Sequence, residues 1–402
     1  MAKKTNKQVK KAVKEISKSK YFGLFLIIIF IMIVVFLLYC YFNPELYNKI
    51  MGLFNKSEPL REKDNVISYY TEAYVVNNES ELDDLKVHMV DVGQGDAIII
   101  ELPDGSNVLI DGGKSSESNK LLTYIDSLDI EIFDVVILTH SDEDHIGGID
   151  EVFDNYVVKN CYRPYVYYGG DAFELDPEFN ASADSKHHDT VSYGKVLNKI
   201  YNETYTDSDG QSYYCNWEYF NNDSSFGRDI IVGDKTYNYN FDFLSPTKNF
   251  EDITYTDLND FSPYVLFTYG EKGATEGDTR FDLMLTGDAE AAALKELLDF
   301  YSTENLDVDV LKVGHHGSST STTPDLLNKI TPEYAIISCG EGNSYKHPNQ
   351  KVLDYLLDAN VQVRRTDMHG SIILTVTELG SYNCTYTATS VNDGNIFVGG
   401  DA

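Results

Sequence analysis

Hydrophobic positions divide the 402 residues into three regimes. Tyr21 to Phe42, "YFGLFLIIIFIMIVVFLLYCYF", is uncharged for about 22 residues, enough for a helix to cross about 30 Å of hydrocarbon. A cleaved signal has a shorter apolar core and a small-residue cleavage site, whereas this run ends in Tyr39, Cys40, Tyr41 and Phe42, so a retained transmembrane helix is expected. Residues 43–84 are polar and weakly periodic ("NKSEPLREKDN", "NNESELDD"), as suits a linker or stalk. From about Leu85 the pattern turns to short β-type runs: "LKVHMVDV", then "AIIIEL" and "NVLIDGG" around a "PDGS" turn, which read as a hairpin.

Helical spacing in "SNKLLTYIDSL" and "GGIDEVFDNY" brackets the strand "FDVVILTH". The rhythm breaks over about 167–237, rich in Tyr, Asn, Asp, Ser and Gly, and this block is expected to be an insertion, with a helix in "HHDTVSYGKVLNKIYNE". It resumes with the strands "NYNFDFLSP", "SPYVLFTYG" and "FDLMLTGD", the helix "AEAAALKELLDFY" and the strand "VDVLKVGHHGSS". The last section, "PEYAIISCG", "NQKVLDYLLDAN", "VQVRRTD", "GSIILTV", reads as βαββ. Alternation of this kind gives an α/β class of layered sheets covered by helices, and no repeat of fixed period appears.

Charge adds topology. Residues 1–20 form a basic tail with eight Lys and one Glu, which places the N-terminus in the cytoplasm and everything after Phe42 outside the cell membrane, a bacterial one by expectation. Removing that +7 from the net −32 leaves −39 on the remainder, a surface that repels long polyanions unless a basic groove or a metal centre reverses the sign locally. Cys161, Cys215, Cys339 and Cys384 follow the membrane helix in no zinc-type spacing, and one or two disulfides are open to them.

Three apolar strands end in metal-type residues: "VVILTHSDEDH", "DLMLTGD" and "DVLKVGHH". Strand C-termini in α/β proteins converge on clefts, so these clusters are expected to meet. His140, Asp142, Asp144 and His145 would present N and O ligands to one or two divalent cations, Zn²⁺, Mn²⁺ or Fe²⁺ by donor type. A helix cap needs one side-chain acceptor and explains Asp142 or Asp144, but neither histidine nor the other two strand ends. A nucleophile elbow, a P-loop and a dinucleotide turn are all missing from the sequence, which tells against serine hydrolases, NTPases and dinucleotide enzymes.

The order "DVGQGDA", "LIDGG", "THSDEDHIGG", "LTGDAE", "LKVGHHGS", "SCGEGNSYKHPN", "RTDMHGSI" resembles the metallo-β-lactamase fold, and within it the C-terminal hydrolase domain of the ComEC competence family. The resemblance implies a four-layer αββα sandwich over 85–402 and two divalent metal ions, zinc or manganese. It assigns His140 and Asp142 to the first ion, Asp144 and His145 to the second, Asp288 to a bridge, and one of the metal candidates His315 and His316, with His316 favoured, to the second site, the neighbouring histidine being open to a phosphate contact. The family's HxHxDH motif has Asp142 in place of its second histidine. A further family histidine is missing from "DLNDFSPYVLF", where Asn259 and Asp260 stand. The first site is therefore expected to be weak, filled only with substrate, or better suited to Mn²⁺.

Asp144 is the expected partner for the nucleophile's proton, and His347 of "YKHPN" takes a substrate-facing or acid role by resemblance. Gln94, Gly95 and Asp96 resemble the family's turn facing the site, and Asp111 is expected to support the ligands through hydrogen bonds. Ser318 and Ser319 suit either a phosphate contact or a cap for the helix after "TPDLLNKI" begins.

The expected function is that of a membrane-anchored metallo-hydrolase, a phosphodiesterase or DNase acting on DNA or another phosphodiester, bound to the bilayer through Tyr21–Phe42. One span cannot form the family's channel, so a link to DNA uptake rests on analogy. Two alternatives stand beside this: a surface phosphoesterase acting on small phosphodiesters or phosphocholine-decorated wall polymers, and a non-catalytic, metal-stabilised binding protein. β-Lactam hydrolysis is disfavoured because the members that perform it keep the histidine-rich first site.

Overall fold

The computed structural model describes residues 72–166, 191–206, 210–249, 252–273, 280–376, 386–390 and 396–399. The expected membrane helix, the basic tail and most of the linker lie outside the described residues, among which no helix is long and apolar enough to cross a membrane.

In chain order the strands are β1 Tyr74–Val76, β2 Leu85–Met89, β3 Ile98–Glu101, β4 Asn107–Ile110, β5 Ile132–Ile137, β6 Val157–Arg163, β7 Thr204–Thr206, β8 Ser212–Tyr214, β9 Asn216–Tyr219, β10 Ser225–Val232, β11 Lys235–Phe243, β12 Val265–Glu271, β13 Arg280–Leu285, β14 Val310–Lys312, β15 Tyr334–Ile337, β16 Gln362–Arg365, β17 Ile372–Val376, β18 Tyr386–Ser390 and β19 Ile396–Gly399. The helices are α1 Ser118–Ser127, α2 Glu143–Ile146, α3 Ile149–Asn155, α4 Val191–Asn202, α5 Ala291–Phe300, α6 Pro324–Ile330, α7 Gln350–Asp358 and α8 Thr366–His369.

Two large sheets result, in the orders β19-β18-β17-β2-β3-β4-β5-β6-β9 and β1-β10-β11-β12-β13-β14-β15-β16. The expected hairpin is the antiparallel pair β3–β4. β4, β5 and β6 run parallel in one sheet, and β13 to β16 run parallel in the other.

Three buried clusters define the layers. Val87, Ile100 and Ile110 of one sheet meet Phe241, Phe267 and Leu283 of the other. Leu121 and Ile125, one turn apart on α1, join Val152 of α3 and Leu197 of α4 on the outer face of the nine-stranded sheet. Leu294 and Leu297 of α5, Leu326 of α6 and Leu356 of α7 do the same on the eight-stranded sheet. The order is helix, sheet, sheet, helix, a mixed α/β sandwich.

The block expected as an insertion is partly sheet. β9 pairs with β6 and β10 pairs with β1 and β11, so residues from Asn216 onward are integral to the two sheets. The tyrosines disguise a two-residue period: in β11, Tyr237, Tyr239, Phe241 and Phe243 all point inward between polar neighbours. β1 likewise draws residues expected in the linker into the eight-stranded sheet. Cys161 and Cys339 are buried free thiols, Cys215 is buried with its Sγ 3.3 Å from the Asn216 carbonyl oxygen, and Cys384 lies outside the described residues.

A buried cation fastens α4 to β6. Arg163, fully buried, donates to the phenol oxygens of Tyr193 at 3.2 Å, Tyr201 at 2.7 Å and Tyr219 at 2.8 Å. Its guanidinium lies 4.3 Å from the ring centre of Trp217 and 4.2 Å from that of Tyr219. These tyrosines are packing residues. Arg163→Met keeps the stem and removes the hydrogen bonds donated to the three phenols, and is expected to lower unfolding free energy by about 3 kcal/mol, read from urea denaturation.

Candidate metal centre

The loops after β5, β13 and β14 bring their clusters together around one carboxylate. Asp288 is buried, with its backbone N–H donating to Ser262 Oγ at 3.1 Å. His145 Nε2 lies 3.2 Å from Asp288 Oδ1, while Oδ2 is 3.4 Å from His316 Nε2, 3.6 Å from His315 Nε2 and 4.0 Å from His140 Nε2.

Hydrogen bonds on the far side of each ring decide which nitrogen faces inward. His316 Nδ1 is 3.0 Å from the Ser338 carbonyl oxygen, which only accepts, so Nδ1 carries the hydrogen. His145 Nδ1 donates to Asp111 Oδ2 at 2.7 Å, and His315 Nδ1 to Glu290 Oε1 at 2.9 Å. The single hydroxyl hydrogen of Thr139 goes to Asp111 Oδ2 at 2.6 Å, so Thr139 Oγ1 accepts from His140 Nδ1 at 3.1 Å. All four rings therefore present Nε2 to the centre. That of His140 is fully buried and has no hydrogen-bond partner, a cost that a cation would relieve.

Asp144 Oδ2 lies 3.6 Å from His316 Nε2, and Asp142 Oδ2 lies 4.0 Å from His140 Nε2. Asp142 precedes α2 but makes no capping hydrogen bond, which leaves its carboxylate free of the bland role. The closest-knit metal-type set is Asp96, His145, Asp288 and His316. Within it Asp96 stands apart: Oδ2 is ion-paired to buried Lys312, and Oδ1 faces the rear nitrogen of His316 at 3.4 Å. Asp96 thus supports His316 from behind.

Charges follow this geometry. Burial pushes the His140 imidazole down to about 3, so it is neutral with a bare Nε2. Burial also works against protonation of His145, but Asp288 and Asp111 outweigh it and hold that ring well above the usual histidine range. His316 is pushed up to about 9, with Asp288, Asp144 and Asp96 overcoming burial. Burial would raise Asp288 and Asp96, yet the facing cations hold Asp288 far below the carboxylate range and, with Lys312, bring Asp96 to about 2. Burial and Asp144 raise Asp142.

The remaining expected residues take varied places. Gln94 Oε1 accepts from Gly340 N at 3.2 Å, tying the two loops together. Gly95 has φ +156°, and a Cβ there would lie 2.3 Å from the Asp144 carbonyl oxygen, so the close approach requires glycine. The Asn259 side chain reaches the His315 ring at 3.4 Å, and Asp260 caps α5, accepting from the amides of Glu290, Ala292 and Ala293. Ser318 does not cap α6: Thr323 does, accepting from Leu326 N, while Ser318 Oγ pairs with Thr320 Oγ1 at 2.8 Å.

His347 packs edge-on against His315 with ring centres 5.5 Å apart. Gly317, at φ +87°, allows this, since a Cβ there would lie 2.5 Å from Pro348 Cβ. Thr139, Glu290 and Lys312 were not among the expected site residues. Lysine inside the apolar run "VDVLKVG" is the signal for the last. A groove of about 770 Å³ at the other end of β5, lined by Asp104, Asp129, Glu131 and Asp134, contains none of these histidines.

Residues 90–210 match the family model of the metallo-beta-lactamase superfamily. The protein carries a metallo-β-lactamase domain. It is 29% identical to ComE operon protein 3 of Bacillus subtilis (strain 168) over 71% of this chain and 32% of the relative. Recombination protein 2 of Haemophilus influenzae is also 29% identical, over 71% of this chain and 28% of the relative. The chain thus spans about a third or less of the length of these ComEC-family relatives. The solved metallo-β-lactamase SMB-1 is 12% identical, with a TM-score of 0.31 over 60% of this chain and 79% of its own.

The domain's donor set of imidazole and carboxylate fits divalent cations. Without one, His145 and His316 carry protons at pH 7, and both must lose them to ligate, so loading is expected to release about two protons. Titration calorimetry in buffers of different ionisation enthalpy measures that number. Because the His316 pKa is raised in the folded state, its contribution to metal-free stability is complete below about 6.5 and lost as pH rises through about 9.

Proposed function

We propose that this protein is a membrane-anchored, outward-facing hydrolase of phosphodiesters that works with two divalent cations, zinc or manganese, and takes DNA as its first candidate substrate. The observation carrying the reading is the convergence of four Nε2 atoms, from His140, His145, His315 and His316, on the Asp288 carboxylate. Cations held there polarise a phosphoryl oxygen and lower the pKa of water.

The chain's own residues supply the rest. Asp111, Glu290, Thr139 and the Ser338 carbonyl lock the rings so that no reorganisation is needed when substrate arrives. Asp144, with its side chain 20% exposed, accepts the proton of the attacking water. Burial raises it, but the neighbouring His316 and His145 dominate and keep it below the usual carboxylate range, so it is ionised at neutral pH. His347, kept neutral by burial and held on the rim against His315, is placed to hydrogen-bond the leaving oxygen through its ring N–H, without giving up that proton.

Kinship with ComEC-family proteins favours DNA. The net −39 outside residues 1–20 favours a second reading, in which the substrate is a small phosphodiester or a phosphocholine-bearing wall polymer. The full-length protein in detergent is to be assayed on single- and double-stranded DNA, bis-p-nitrophenyl phosphate and p-nitrophenyl phosphocholine, with Mn²⁺, Zn²⁺ or EDTA. Metal-dependent DNA cleavage is expected, with kcat lowered about 100- to 10,000-fold in Asp144→Ala. Cleavage of the small esters alone selects the second reading, and no cleavage of any selects a binding role.

The anchor proposal rests on the uncharged run Tyr21–Phe42 behind eight lysines. Protease added to intact cells is expected to remove the domain while leaving an N-terminal tag protected.

A further inference from the structure

We infer that His315 is a metal ligand, supplying to the first cation the nitrogen that the missing family histidine would have given. The inference rests on the proposed two-cation hydrolase and assigns the composition of its weaker site.

The first cation is short of nitrogen. Asp142 occupies one histidine position of the motif, and Asn259 and Asp260 occupy the segment that would carry another. Asp260 is committed to the N-terminus of α5 and is unavailable. The Asn259 side chain rests 3.4 Å from His315 Nδ1, so the place of the missing histidine is filled by a residue that touches the His315 ring.

That ring is built as a ligand is built. Glu290 accepts its Nδ1–H at 2.9 Å and is itself fixed by Thr320 Oγ1 at 2.7 Å, which leaves Nε2 directed at Asp288 Oδ2, 3.6 Å away. The same oxygen is 4.0 Å from the unpartnered Nε2 of His140, whose other neighbour is Asp142 Oδ2 at 4.0 Å. Asp288 Oδ2 is thus shared by His140 and His315, with Asp142 beside His140, and we take these two nitrogens and two oxygens as the first cation's set. His145, His316 and Asp144 gather at the other side of Asp288.

The backbone gives an independent sign. His315 (φ 48°, ψ 50°) and His316 (φ 53°, ψ 22°) are consecutive side-chain-bearing residues in the left-handed region. Such strain persists where the surroundings over-determine it, and it concentrates at functional sites. Here it turns two adjacent rings toward one carboxylate, which a single ligand with a solvent-facing neighbour would not require.

The alternative is that His315 touches substrate phosphate only, and metal counting separates the two. Full-length protein in detergent is loaded with Mn²⁺, Zn²⁺ or Co²⁺, freed of excess by gel filtration, and analysed by plasma mass spectrometry and, for Co²⁺, by visible absorption. Wild type is expected to retain two equivalents and His315→Ala one, with loss of one component of the Co²⁺ spectrum. Glu290→Gln, which keeps the ring but weakens its lock, is expected to raise the Kd of the weaker equivalent about 10- to 100-fold. Two equivalents with an unchanged spectrum in His315→Ala would overturn the inference while leaving the hydrolase proposal standing. A wild type that retains one ion overturns it as well, and one that retains none overturns both.

Discussion

Burial of the Asp288 carboxylate among imidazole nitrogens is the constraint to which the rest of the site answers. An ionised carboxylate removed from water needs positive charge beside it, and the protein provides two interchangeable sources: protons on His145 and His316, or divalent cations. The surrounding residues make the exchange orderly. Asp111, Glu290, Thr139 and the Ser338 carbonyl hold the outer ring nitrogens, so that only the inner ones change protonation. Lys312, together with His316 and His145, keeps the buried Asp96 ionised.

This arrangement depends on two sheets rather than one. His140 and His145 follow β5 of the nine-stranded sheet, whereas Asp288 and the histidine pair follow β13 and β14 of the eight-stranded sheet. The apolar layer between the sheets sets their spacing, so Phe241, Phe267 and Leu283 help fix the separation of ligands they do not touch. The loops are stitched across the gap by contacts such as Gln94 to Gly340, while Gly95 packs against the Asp144 carbonyl between two loops of the nine-stranded sheet.

What the sequence disclosed follows from how far each interaction reaches along the chain. Metal-type residues stood out because apolar strands ended in them abruptly, a local signal. The ring partners were not visible, since Asp111 with His145 and Ser338 with His316 meet only once the chain has folded. The strands in the later part of the tyrosine-rich block were hard to see because tyrosine and asparagine alternate in β11 with the same two-residue period as valine and serine would. The helix cap was a matter of choosing between neighbours: Pro324 at the first helical turn marks Thr323, and that signal was local and available. Of the one or two disulfides left open by cysteine count, none joins Cys161, Cys215 and Cys339 to one another, each being buried in a core.

The pairing of β2 with β17, Leu85 opposite Val376 and Met89 opposite Ile372, closes the nine-stranded sheet with segments from nearly opposite ends of the domain. Strand β2 leads directly into the turn that carries Asp96 and buttresses Asp144. A chain emerging from the ribosome therefore holds every histidine of the centre before it holds the strand that seats this turn. Contacts of such separation form late and slowly. The fold thereby imposes a sequence in time: the pairing that completes the β2 side of the site forms only when the chain is nearly finished.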